Sequence, residues 1–175
     1  MIVIIALSLA LIGAIGHSTE PDAQPLVVPT PVVDRAAAYS LFLQALMLED
    51  NGNLAAAIRT LQEASDFDPA SAEIHAVLGE LHARQNRVDE AVASAQRALD
   101  LNSDNIHAHR ILGLLFIAIA DQQSERDSSE RENYVDRAIR HLERVESERL
   151  YDEQVMFSLG RLYVENNLFD KGVKA

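Results

Sequence analysis

From about residue 35 onward, apolar residues return at helical spacing in short blocks separated by polar turns. The first block, RAAAYSLFLQALMLED, follows Asp34, a good N-cap, and stops at Asn51 and Gly52, which supply a left-handed C-terminal cap. Asn53 can then open a second helix, LAAAIRTLQEASDF. A second pair runs from Ala72 to Arg84 and, after the turn QNR, through VDEAVASAQRALDL. Its second member places Val88, Ala91, Val92, Ala95, Ala98 and Leu99 at i, i+3, i+4 spacing. Two short helices with narrow apolar faces cannot build a core alone, so the pattern predicts helix hairpins that stack on their neighbours.

The chain before residue 35 reads differently. Residues 1–16, MIVIIALSLALIGAIG, carry no charge, and Ala14 and Gly16 give the small-x-small pattern before a cut at His17. As a helix this run spans roughly 24 Å, short of a hydrocarbon core of about 30 Å. It reads as a signal peptide or a short membrane anchor, although no Lys or Arg precedes it. Four of the five prolines fall between Pro21 and Pro31, so residues 17–34 read as an extended Pro-rich linker ahead of a helical region over 35–175.

One dipeptide organises that region. Leu78-Gly79 returns as Leu112-Gly113, 34 residues on, and again as Leu159-Gly160, 47 residues later. After the first comes the small-residue pair Ala91 and Ala98; after the second come Ala138, Ile139 and Leu142. Small residues allow paired helices to approach closely while the leucines fill the space between. In this the chain resembles the tetratricopeptide repeat family, whose unit of about 34 residues carries Leu-Gly in its first helix and two alanines in its second. The resemblance covers Ala38 to Ala175. A first unit has Ala45 in the glycine's place, then Gly52, Ala57, Leu61, Ala64 and the closing Asp68-Pro69. In a fourth, Tyr163 and Phe169 follow Leu159-Gly160, and Gly172 replaces the usual alanine.

The resemblance implies an all-α, right-handed superhelical solenoid of about 3.5 hairpins, with units near 38–71, 72–105, 106–152 and a truncated 153–175. A solenoid needs a polar capping element, and the sequence stops inside unit four, so the natural polypeptide is expected to continue. The third unit holds 13 extra residues, DQQSERDSSEREN, with no apolar side chain from Asp121 to Asn133. Ser129 and Glu132 form an S-x-x-E capping box. These features predict two lengthened helices joined by an exposed tip around residues 124–128.

Composition narrows the functional classes. Only 7 Gly, 5 Pro and 5% aromatics accompany a 48% hydrophobic fraction, which favours helix. A formal charge of −12 with no basic stripe argues against nucleic acid, and the chain has no cysteine for thiol chemistry or a disulfide framework. Six histidines raise metal binding, but there is no HExxH, and His107 and His109 point to different helix faces. Asp100, Asn102 and Asp104 imitate the opening of a calcium loop, yet Asn105 stands in for its glycine and Ile111 for its bidentate Glu. No GxSxG, SxxK, GxGxxG or GxxxxGK[ST] motif is present. No catalytic site, metal site or cofactor is expected.

In the family, first helices line a concave face that binds extended peptides or a partner's helix. Carried over unit by unit, the groove residues are Tyr39, Phe42 and Leu46; Glu73, Glu80 and Arg84; Arg110, Leu114 and Ile117; and Phe157 and Arg161. The Lys and Asn that clamp a C-terminal carboxylate in some members are absent: Phe42 and Leu46, Glu80, Arg110 and Leu114, and Arg161 stand at those places. Arg84, Arg110 and Arg161 are the cations left to pair an acidic ligand. The sequence thus predicts a non-enzymatic scaffold for a protein or peptide partner, exported to or anchored at a bacterial envelope, with membrane contact through residues 1–16 if these are uncleaved. The N-terminal region of a larger envelope enzyme and an oligomerisation module are the alternatives.

Overall fold

Helix ends follow from local side-chain chemistry. In the computed structural model, which describes residues 33–122, 128–148 and 151–168, Asp34 Oδ1 accepts from the amides of Ala36 and Ala37 and opens α1, Arg35–Asp50. Asn53 caps α2, Leu54–Phe67, and Ser71 caps α3, Ala72–Arg84. Then come α4, Val88–Leu101; α5, Ile106–Gln122; and α6, Ser128–Ser147. Asp152 caps α7, Glu153–Glu165, through the Val155 amide at 3.1 Å. All seven helices among the described residues belong to one unit, Pro31–Ala175.

One turn recurs three times. Gly52, Asn86 and Asn167 sit just past α1, α3 and α7 with φ of +74°, +58° and +57°. The following amides of Asn53, Arg87 and Leu168 bond back to the carbonyls of Leu48, His82 and Tyr163 at 2.8–2.9 Å. This double turn satisfies carbonyls the helix end would leave orphaned, and it needs a residue that tolerates the left-handed region, which Gly and Asn do.

Helices α1 and α2, α3 and α4, and α5 and α6 pair as hairpins, and each hairpin stacks on the next through α2–α3, α4–α5 and α6–α7. Their seams are built from small residues. Ala57 and Ala64 of α2, Ala91, Ala95 and Ala98 of α4 and Ala138 of α6 are fully buried. A Cβ placed on Gly79 would lie 3.2 Å from both the Ala91 carbonyl oxygen and the Ala95 amide, so α3 and α4 touch backbone to backbone. On Gly113 it would fall 2.6 Å from Leu142 Cγ, with Cδ2 closer still. The two glycines therefore do the same work in successive hairpins. Gly160, third in the series, is exposed, and nothing among the described residues lies within 4 Å of where its Cβ would sit.

Two apolar clusters result. One joins α1, α2 and α3 around Leu61, Ile74 and Leu81; the other runs from α3 through α7 around Leu112, Phe116, Leu142 and Leu159. The third hairpin is the longest, with 17 residues in α5 and 20 in α6. Where it outgrows its neighbours, Phe116 and Tyr134 pack with ring centroids 5.9 Å apart and Arg137 lies 3.9 Å over the Phe116 ring. The expected leader and most of the linker, residues 124–127 of the expected tip at 124–128 and the end at 169–175 lie outside the described residues, while Ser128 opens α6. Among those described, no helix is long and apolar enough to cross a membrane.

Candidate functional site

Stacking brings the first helix of every hairpin to one side, and ionic contacts link these helices in sequence. Between α1 and α3, Glu49 pairs with Arg84. From α5 to α3, His107 Nε2 donates to Glu80 Oε2 at 2.6 Å, with Glu73 Oε1 3.8 Å from its Nδ1. Across to α7, Arg110 Nε donates to Asp152 at 2.6 Å and its Nη2 to Gln154 at 2.9 Å, while Arg161 reaches back to Asp121 at 3.1 Å. The hydrogen bond from His107 holds the Glu80 carboxyl below its usual value; the same bond, against the opposing effect of burial, holds the imidazole above its usual value. Burial pushes Asp152 up, but the bonds from Arg110 and the Val155 amide outweigh it and leave this carboxyl lowered.

Hollows lie along this face. A cavity of about 420 Å³ between α1 and α3 is lined by Ala38, Tyr39, Phe42 and Ile74, with Arg35, Asp68, Ser71 and Glu73 around it. A smaller one of about 290 Å³ is lined by Glu80, Arg84, Arg110 and Leu114, together with Ala83, Ile111, Leu115 and Gln154. The sequence-assigned groove residues divide accordingly. Tyr39, 63% exposed, Phe42 and Glu73 meet at the first hollow, and Glu80, Arg84, Arg110 and Leu114 at the second. Leu46 is half-buried against the first core cluster. Phe157, 74% exposed, stands farther along beside Tyr151 and Gln154, and Arg161 is engaged with Asp121 and Glu165.

Two expectations change. Ile117 is not a surface residue: it is 7% exposed and belongs to the buried cluster that runs from α3 through α7. Nor are Arg84, Arg110 and Arg161 free for an acidic ligand, since each already holds a carboxylate of this chain. Sequence reasoning missed Asp121, Asp152, Glu49 and His107 as members of this face. Their partners lie 27 to 42 residues away, and only the stacking offset between hairpins could have paired them.

The other described histidines serve the scaffold. His75 Nε2 donates to the Pro69 carbonyl at 3.3 Å. His82 is buried, with no hydrogen-bond partner for its Nδ1 among the described residues. His109 donates from Nε2 to the Ser103 carbonyl, which leaves Nδ1 to accept from His141 Nδ1 at 2.8 Å. Burial, reinforced by His109, Arg137 and Arg140, pushes His141 down to about 4. His107 and His109 thus face α3 and α6 respectively, and among the described residues no group of three or more His, Cys, Asp or Glu is placed to hold a metal ion. The DLNSDN segment is a turn: Asn102 Oδ1 accepts from the Asp104 amide, and Asn105 Oδ1 caps α5 through Ala108 at 2.8 Å.

Residues 42–106, from mid-α1 to the start of α5, match the family model described as tetratricopeptide repeat. Residues 42–106 are tetratricopeptide repeat sequence. No curated protein sequence matches it. Among solved structures, the first tetratricopeptide repeat domain of Spaghetti (RPAP3), bound to the HSP90 peptide SRMEEVD, is similar at a TM-score of 0.65 and 17% identity, over 77% of this chain and 97% of that one. MamA is similar at 0.63 and 25% identity, over 81% and 75%. A thermophilic tetratricopeptide repeat protein of Thermus thermophilus is similar at 0.63 and 17%, over 78% and 69%. These likenesses establish a fold of tetratricopeptide helix hairpins, and such domains are typically non-catalytic binding modules.

Proposed function

We propose that the hairpins wind as a right-handed superhelical solenoid whose first-helix face is a concave groove, and that this groove binds an extended segment or helix of a partner protein without catalysis. The hollow between α1 and α3 carries the reading, because it exposes Tyr39 and Phe42 beside charged groups in the proportion that recognition sites use: an apolar floor with a few polar directors. The peptide held by the similar RPAP3 domain supports it by analogy. A pull-down with the full chain and its Phe42→Ala variant tests it. Partners lost with the variant support the groove; partners retained in full by it count against the groove.

A second reading, self-association, is favoured by Tyr39, Leu43 and Met47, which lie exposed at i, i+4, i+8 on α1. Light scattering over a range of concentrations distinguishes it, since a mass that stays monomeric removes it. Envelope placement rests on the apolar run 1–16 alone. Protease accessibility in intact cells tests it, and protection equal to that of a cytoplasmic marker would overturn it.

A further inference from the structure

We infer that the groove selects a segment in which a large apolar side chain is followed by Lys or Arg, and that it discriminates against acidic C-terminal segments. The inference rests on the groove reading above and adds the chemistry of the ligand.

Volume sets the first half. A hollow of about 420 Å³ floored by Phe42, Ile74 and Ala38, with Tyr39 at its lip, has room for one aromatic or large aliphatic side chain. Such an anchor gains from burial against a ring and an isoleucine, the kind of central contact that dominates binding at peptide interfaces.

Charge sets the second half. Deeper along the face Arg84 and Arg110 are committed to Glu49 and Asp152, whose side chains are only 20% and 22% exposed, so an incoming acid would have to displace one of them and leave it unpaired. Leaving a partly buried charge without a partner costs more than a new surface pair returns. At the anchor hollow the balance is reversed. The Glu73 side chain is 58% exposed and held only by long contacts, 3.4 Å from Asn105 Nδ2 and 3.8 Å from His107 Nδ1. Asp68, its side chain 14% exposed, already accepts from the Ala70 amide at 3.3 Å and has Arg35 3.7 Å away. A ligand ammonium or guanidinium arriving beside a seated apolar side chain therefore finds its acceptor in Glu73. The overall charge of −12 favours the approach of such a ligand and opposes an acidic one.

The test is capture of a mixed library of 12-residue synthetic peptides with free C-termini on the immobilised full chain, identification by mass spectrometry, and fluorescence anisotropy of the enriched peptides on three proteins. With wild type as reference, we expect enrichment of peptides carrying Phe, Leu, Ile or Trp next to Lys or Arg, about tenfold weaker binding to Phe42→Ala, and about tenfold weaker binding to Glu73→Lys. Enriched acidic peptides that still lose affinity on Phe42→Ala would overturn the ligand chemistry and leave the groove standing. Enriched peptides bound equally by all three proteins would overturn the groove as well, and a library yielding no enrichment would overturn both.

Discussion

Glu80 and His107 meet at 2.6 Å, Oε2 to Nε2, across the seam between α3 and α5. The contact joins two hairpins midway along the first-helix face and keeps its edges solvated: the imidazole side chain is 28% exposed and the carboxylate 37%. It is one rung in a series that also pairs Glu49 with Arg84 and Arg110 with Asp152, so the spacing of the first helices is set by charge as well as by the leucines beneath.

The rung predicts a pH window. The folded state holds His107 above its usual 6.5, with Glu80 and Glu73 raising it and burial and Arg110 opposing. A raised pKa means that this contribution is fully present below 6.5 and is lost as pH rises through the folded value. Glu80, held below 4.5, contributes above 4.5 and loses that contribution as pH falls through its own folded value. The seam is therefore strongest between about pH 4.5 and 6.5. His107→Ala should lower stability more at pH 6 than at pH 9 in urea titrations; an equal loss at both would remove the ionic account.

His141 acts in the opposite direction. Its pKa of about 4, against 6.5, means that it stabilises the fold only while neutral, fully above 6.5 and progressively less as pH falls toward 4. Because the ring is only partly buried, the loss after discounting for solvent screening is on the order of 1 kcal/mol. The imidazole resonances of His141 followed by NMR should show no titration between pH 7 and 5, and His141→Gln should flatten the acid side of the stability curve. A midpoint near 6.5 would contradict the partly buried pair with His109.

Three glycines at one repeat position should answer differently to the same change. Gly113→Ala drives a methyl into Leu142, which is fully buried, and should cost about 1–3 kcal/mol through overpacking. Gly79→Ala meets backbone at 3.2 Å and should also destabilise. Gly160→Ala, exposed and with open space around it among the described residues, should stabilise α7 by roughly 0.5–1 kcal/mol through helix propensity. Chemical denaturation of the three variants checks the signs, and a loss at Gly160 equal to that at Gly113 would show a covered face.

Arg110 ties α7 to α5 through Asp152, the residue that also caps α7. Arg110→Ala should cost about 1 kcal/mol, the scale of a charge-assisted hydrogen bond at a partly exposed site. The loss should appear locally, as faster amide exchange in α7 with α1 and α2 unchanged. Uniform acceleration along the chain would mean that the contact is not local.

The repeat was legible because its signals are short-range. Leu112 and Gly113 had to face a second helix, and Asp34, Asn53 and Gly52 are caps readable within four residues. The long-range part was not. Ile117 falls on the same helical face as Arg110 and Leu114, and only packing between helices separates a core residue from its neighbours on that face. The arginines looked available for the same reason: nothing near Arg84 in sequence announces Glu49, 35 residues away. Helical spacing reads which residues share a stripe, whereas the offset between stacked hairpins decides which stripes meet.

The central claim is that ligands bind across the first helices. Heteronuclear NMR titration of the full chain with an enriched library peptide tests it most directly. Shift changes concentrated at Tyr39, Phe42, Glu73 and Ile74, extending to Glu80 and Arg110, are the predicted result. Changes confined to α2, α4 and α6, the helices on the other side of the stack, would contradict it.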